Sequence, residues 1–169
     1  MPTTPLGFTY PASTGHGRIW EHLQTMAQNI DGTLQGRTPL QGNASLSSNY
    51  TLTASMADLT GASVTINIGA AGLAVYFLEF TGDFTLVTAG SVTGVMSCLI
   101  DGVPGGRQVI WNPANAAAGV RATVGNSWAG VVSGSGNHTF KLQAQGLGTP
   151  ALGRLGATHT GLSVVVLPY

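Results

Sequence analysis

Acid–base chemistry needs ionisable side chains that can converge, and this chain supplies few of them. Its acids are Glu21, Asp31, Asp58, Glu79, Asp83 and Asp101, and its histidines are His16, His22, His138 and His159. Glu21 and Asp31 fall in a helical stretch. Asp101 opens an Asp-Gly pair, where aspartate serves turn geometry. Glu79 and Asp83 are spaced to straddle a turn; paired carboxylates there could move protons, but a solvated turn explains the same pattern. His138 follows Gly136-Asn137 in a hairpin, where an exposed polar residue is expected. No two histidines show the i, i+4 spacing of a helical zinc site, and there is no Cys/His cluster. The sequence therefore predicts no cofactor and no metal held within one chain, leaving only a metal shared between chains on a symmetry axis.

Nucleophilic chemistry fares no better. Gly130-Val131-Val132-Ser133-Gly134 has the wrong spacing for a nucleophile elbow. Lys141 is the only lysine and sits in no phosphate loop. Cys98, the only cysteine, lies in the apolar run Val95–Ile100, so it is expected to be a small buried hydrophobe and forms no internal disulfide. These observations argue against an enzyme. Of the three tryptophans, Trp20 lies beside an apolar helix stripe and is expected at an interface, whereas Trp111 and Trp128 are expected in a core. Trp111 and Tyr76 are also the candidate contacts for a ligand, should the β-domain bind sugar.

The composition must still account for solubility. Only 7% of the 169 residues are charged, against about 25% in ordinary soluble domains, while 43% are hydrophobic. That is enough for a core and is the opposite of a disordered composition. Six basic and six acidic residues leave no net charge, and a neutral surface gives little protection against association. The basic residues are scattered, so nucleic-acid binding is not expected. No apolar stretch reaches membrane-spanning length, so no membrane insertion is expected. The opening Met-Pro-Thr-Thr-Pro-Leu-Gly lacks the basic and apolar regions of a secretion signal, and the three Asn-x-Ser/Thr matches are read as accidental.

The elements divide the chain in two. Residues 1–16 form an arm restricted by Pro2, Pro5 and Pro11, with Leu6, Phe8 and Tyr10 at alternate positions. Residues 17–31 form a helix, since Ile19, Leu23, Met26 and Ile30 recur at helical spacing and Trp20 and Ala27 widen the stripe. A lone helix of roughly 14 residues is marginal in water, so its stripe must be covered. Residues 33–43, with Gly36, Pro39 and Gly42, read as a linker. Beyond it the period changes to two, giving about nine strands separated by turn residues. Val64, Ile66 and Ile68 alternate with polar residues, whereas Leu73 to Phe80 is nearly continuous and apolar, the signature of a strand covered on both faces. Phe84 to Thr88 reads as a further strand, and residues 112–119 as a surface loop. The resulting fold is mostly β: a short N-terminal arm and one α-helix (1–36) for anchoring and assembly, then an antiparallel, jelly-roll-like β-sandwich (37–169).

Two groups of residues carry a resemblance. The segments Gly7-Phe-Thr-Tyr10-Pro11 and Arg18-Ile-Trp20-Glu-His-Leu23 through Ile30-Asp31 resemble the N-terminal module of virion proteins from tailed phages of actinobacteria. Phe84-Thr-Leu-Val-Thr, Cys98-Leu-Ile-Asp101-Gly102, Gly136-Asn-His-Thr-Phe-Lys-Leu-Gln-Ala144 and Leu162–Leu167 resemble the strand series of phage jelly-roll domains, themselves similar to the trimeric complement and tumour-necrosis-factor folds. The resemblance implies a phage structural protein located in the virion, a homotrimer whose partners are itself and other virion proteins. The assembly interface would use Phe8, Tyr10, Ile19, Trp20, Leu23, Met26 and Ile30. A minor tail or fibre component is the first expectation. A capsid decoration protein bound to the major capsid protein is the second, favoured by small size and the lack of a long shaft. A carbohydrate-binding module touching a host cell-surface glycan is the third.

Overall fold

The computed structural model describes residues 23–31 and 38–169. Residues 23–31 are helical, as expected of the C-terminal part of the stretch 17–31. From residue 38 onward the chain forms strands, turns and two single-turn 3-10 helices, Pro150–Leu152 and Ala157–His159. The strands are β1 (Leu40–Ser45), β2 (Tyr50–Thr51), β3 (Ala57–Asn67), β4 (Leu73–Leu86), β5 (Val92–Ile100), β6 (Val103–Pro104), β7 (Val109–Trp111), β8 (Arg121–Ser133), β9 (Asn137–Gly148), β10 (Gly153–Leu155) and β11 (Gly161–Pro168).

Their pairing is nested. β1 pairs with β11, β3 with β9, β4 with β8 and β5 with β7, all antiparallel. β11 then joins β4, and β9 joins β5. The outcome is one sheet in the order β1-β11-β4-β8 and a second in the order β3-β9-β5-β7. A set of paired strands wound back on itself produces this order, which is that of a jelly roll. The short β10 and β2 extend the first sheet beside the end of β4, and β6 shares the edge of β5 with β7.

The core lies between the sheets. Tyr76, Leu78, Phe80 and Phe84 of β4 face Met96, Cys98, Phe140 and Leu142 of the second sheet, all buried. Ring contacts bridge the sheets: Tyr76 meets Phe140 edge-on at 5.3 Å, and Phe84 stacks on Trp111 at 5.4 Å. Cys98 is buried as expected, and burial pushes its thiol up to about 12.

Three local expectations are corrected. Part of the expected linker is β1, whose alternating burial is masked in sequence because its inward positions include Gly42 and Ala44. Position 42 faces Val64 so closely that a Cβ there would collide with it, which is why it is glycine. Phe84 to Leu86 is not a separate strand but the end of β4, which runs through Thr81-Gly82-Asp83 without a turn. Glu79 and Asp83 therefore do not straddle a turn.

β3 carries an irregularity. Its register against β9 shifts between Asp58 and Ser63, and Gly61 sits inside that bulge with φ +90°. A Cβ at Gly61 would lie 2.8 Å from the Ser45 carbonyl oxygen and 2.9 Å from the Ser47 nitrogen. Both obstacles are backbone, and Ser47 is fixed because its N–H donates to the Thr60 carbonyl. Gly61→Ala is expected to cost about 1–3 kcal/mol, read as a lower urea midpoint with unchanged slope. An unchanged midpoint would mean that the bulge relaxes freely.

Candidate functional site

The outer faces of the two sheets carry different side-chain patterns. On the second sheet, polar side chains form cross-strand ladders. The Thr65 and Thr139 hydroxyls are 3.1 Å apart, and the Asn67 amide donates to Asn137 at 2.7 Å. Lys141 and Gln143 of β9 both donate to the Asp58 carboxylate, at 2.8 and 2.7 Å, which holds that carboxyl below its usual range. This part of the face is polar, whereas Ile110 of β7 and Leu147 of β9, toward the other end of β9, are 62% and 48% exposed.

The outer face of the first sheet is divided. The register places Leu167, Val75 and Val131 side by side across β11, β4 and β8, and Val165, Phe77 and Ala129 in the next row. Phe77 is 51% exposed and Val131 56%. Two rows further along β4 the side chains turn polar: Ser163, Glu79 and Ser127, then Gly161, Thr81 and Gly125. One half of this face is thus an apolar patch of adjoining side chains, the kind of surface that marks contact with a partner.

Two open hollows lie over the boundary. One, of about 550 Å³, is lined by Ser45, Glu79, Thr81, Thr123 and His159 among others. The other, of about 400 Å³, lies between Phe77, Glu79, Trp128 and Val165. Glu79 and His159 border the first hollow without a hydrogen bond between them, and Thr81 Oγ1 is occupied as a donor to the His159 carbonyl. Among the described residues, no group of His, Cys, Asp and Glu has the arrangement of a metal site. Asp83, nearby but buried, accepts a two-pronged bond from Arg121 at 2.6 Å for each contact, and its N–H donates to Thr160 Oγ1. The pair ties β8 and the Ala157–His159 turn to β4, and its carboxylate raises the guanidinium's hold on its proton.

The residues expected from sequence separate into three groups. Leu23, Met26 and Ile30 of the helix stripe are 42%, 54% and 48% exposed. Phe8, Tyr10, Ile19 and Trp20 lie outside the described residues. Trp111 and Tyr76, the expected ligand contacts, are buried at 7% and 5% exposure. Trp111 is covered by Phe84 and Tyr76 by Phe140, while the Tyr76 hydroxyl accepts a bond from Trp128 Nε1 at 3.3 Å. Neither ring offers a face to a sugar, because both side chains point between the sheets. Sequence reasoning missed the apolar outer rows. Their signal was present in the nearly continuous run Leu73 to Phe80, whose odd-numbered positions supply Val75 and Phe77.

No family model matches the sequence, and no curated protein does. Solved structures similar to the chain include dimeric latent PorU from Porphyromonas gingivalis, with TM-score 0.41 and 11% identity over 78% of this chain and 13% of that one. The structure of the Gt strain of infectious bursal disease virus aligns with TM-score 0.42 and 14% identity over 77% of this chain and 33% of that one. The Gx strain aligns with TM-score 0.41 and 12% identity over 76% and 33%. The chain spans a third or less of the length of each of these chains.

Proposed function

We propose that the protein is a structural component of a tailed-phage virion, of the minor tail or fibre type, and that it works as a homotrimer. Its N-terminal helix anchors it to other virion proteins, and the sandwich projects outward. The observation that carries the assembly part is β4. Its sequence is that of a strand covered on both faces, yet among the described residues only the inner face is covered, leaving Phe77 exposed and Val75 half-exposed. In the trimer the two neighbouring copies supply the missing cover around a three-fold axis. The helix stripe points the same way, since Leu23, Met26 and Ile30 are open in the single chain. β1 begins at Leu40, opposite Val166 and between the two apolar rows of the sheet, so the first strand starts at the apolar end of the sandwich. The resemblance of the Tyr10-Pro11 segment, the helix and the jelly-roll strands to phage virion proteins supports both the virion setting and the trimer. The thin supply of convergent acids and bases supports a structural role over a catalytic one.

Size-exclusion chromatography with light scattering on the full chain is expected to give the mass of three copies; a stable monomer would sink the trimer. Capsid decoration is the second reading, because the same assembled face suits a trimer bound to the major capsid protein. Gold-labelled antibody on intact particles is expected on the tail, and label confined to the head would replace the tail reading with decoration. Host-glycan binding loses its support at Trp111 and Tyr76.

A further inference from the structure

His138 stands where period two along β9 turns it inward, on the same side as Phe140 and Leu142, and it is 5% exposed. Both ring nitrogens face acceptors. Nδ1 lies 2.7 Å from Asp101 Oδ2, and Nε2 lies 2.9 Å from the Gly134 carbonyl oxygen. A neutral imidazole has one N–H and one lone pair, so it can satisfy only one of these oxygens. The imidazolium, with two N–H groups, satisfies both.

The groups it joins belong to different turns. Asp101 and Gly102, with φ +50° and +82°, form the turn from β5 to β6. Asp101 is fixed there, because its second carboxylate oxygen accepts the Thr139 N–H at 2.7 Å and its own N–H donates to the Thr139 carbonyl. Gly134 lies in the β8–β9 hairpin, which in turn holds the β3–β4 turn: the Gly134 and Gly136 N–H groups donate to the carbonyls of Gly72 and Gly69. We propose that His138 is a proton-operated latch, whose imidazolium ties the β5–β6 turn to the β8–β9 hairpin and whose deprotonation releases the hairpin side. The hairpin is the side released because the bond to the Asp101 carboxylate is charge-assisted and is the stronger of the two.

The charged surroundings are sparse. On β3 the residue opposite is Ile66, and Asp58 lies far along the pairing opposite Gln143. Lys141 of β9 points to the other face and is held by Asp58. Cys98 of β5 lies opposite Leu142, and its thiol stays neutral. Tyr76 of β4 reaches the neighbourhood through its ring contact with Phe140. The Asp101 carboxylate is therefore the charge that decides the outcome. Burial is the largest single influence and works against the proton. The bonds to Asp101 and to the Gly134 carbonyl, with the Asp101 charge, outweigh it and hold the imidazole above its ordinary value of 6.5. The sign follows from linkage: the stabilisation is complete below the ordinary histidine range and is lost as pH rises through the raised folded value.

A nitrogen-15 NMR titration of the full chain tests the latch and needs no knowledge of the assembly. His138 is expected to hold both ring protons at pH 6 and to titrate above the ordinary histidine value of 6.5. The amide signals of Gly134, Ser135 and Gly136 are expected to move with the His138 midpoint. Asp101→Asn is expected to weaken His138 proton binding by about tenfold or more. A neutral His138 at pH 6, hairpin amides blind to its titration, or an unchanged midpoint in Asp101→Asn would each overturn the proposal.

Discussion

Phe77→Asp is expected to convert the proposed trimer into monomers at micromolar concentration while leaving each sandwich folded. Phe77 points away from the core and is 51% exposed in the single chain, so the substitution opens no cavity between the sheets. In the assembly it would place a carboxylate between Val165 and Ala129, the residues opposite it on β11 and β8. Nothing in that row can pair with it. An unpaired charge buried at an interface costs several kcal/mol, on the order of 3–5 kcal/mol per copy, which is a factor of roughly 10² to 10³ or more in each association step. Light scattering reads the change as a fall to one-chain mass, and circular dichroism should retain the β signal. An assembly of unchanged mass would move the contact away from this face. Glu79→Gln, one row further on, is the matched control for a polar position on the same face.

The sandwich was legible in the sequence because its inner faces obey period two. Val64, Ile66 and Ile68 alternate with polar residues, and all three are buried. The Asp101-Gly102 and Gly134–Gly136 turns were legible for an equally local reason, since their positive φ values demand the residue types found there. β1 was not legible. Alternation cannot be seen when the inward positions include a glycine and an alanine, and only the distant Val64 explains why residue 42 has no side chain. Glu79 and Asp83 show the same dependence on long-range structure. They share an outer-facing register on one strand, yet Glu79 is exposed and Asp83 is buried, because Arg121 and Gly156 close over the latter.

His138 is buried at 5% exposure where its local sequence predicts an exposed residue. Its position after a glycine-rich turn suggested an exposed polar residue, but alternation with Phe140 and Leu142 already placed it inward. What sequence could not reveal was the pair of oxygens waiting for it, one from a turn 37 residues earlier in the chain. Trp111 and Tyr76 illustrate the converse. Aromatic residues near loops and strand ends suit a binding surface or a core equally well, and strand register decides. The apolar outer rows were visible in Leu73 to Phe80 as a doubly covered strand; which face lacked its cover became clear only once β8 and β11 were placed beside β4.

Phe84→Ala is expected to be among the most damaging single substitutions in the chain, and its contrast with Phe77 separates core from interface on one strand. Phe84 is fully buried and stacks on Trp111 with the rings 19° from parallel. The space for its ring is made by two glycines: a Cβ at Gly82 would come within 3.0 Å of the ring and one at Gly94 within 2.5 Å. Those positions have no side chain that could move into a void. The backbone around them is held as well, because Phe84 lies between Ala122 of β8 and Leu155 of β10 in the sheet. The site therefore collapses poorly, which places the loss near the upper end of the range for such truncations, about 3–5 kcal/mol. That is a large fraction of the roughly 5–15 kcal/mol that stabilises a typical domain. The melting temperature should fall by on the order of 10 °C. Protein concentration supplies the discriminating measurement. The shift in urea midpoint caused by Phe84→Ala should be nearly the same at low and high concentration, because the lost contacts lie within one chain. Any loss of apparent stability from Phe77→Asp should shrink on dilution, as mass action removes the contribution of assembly from the wild type too. If both variants showed the same concentration dependence, Phe77 would not belong to an interface between copies.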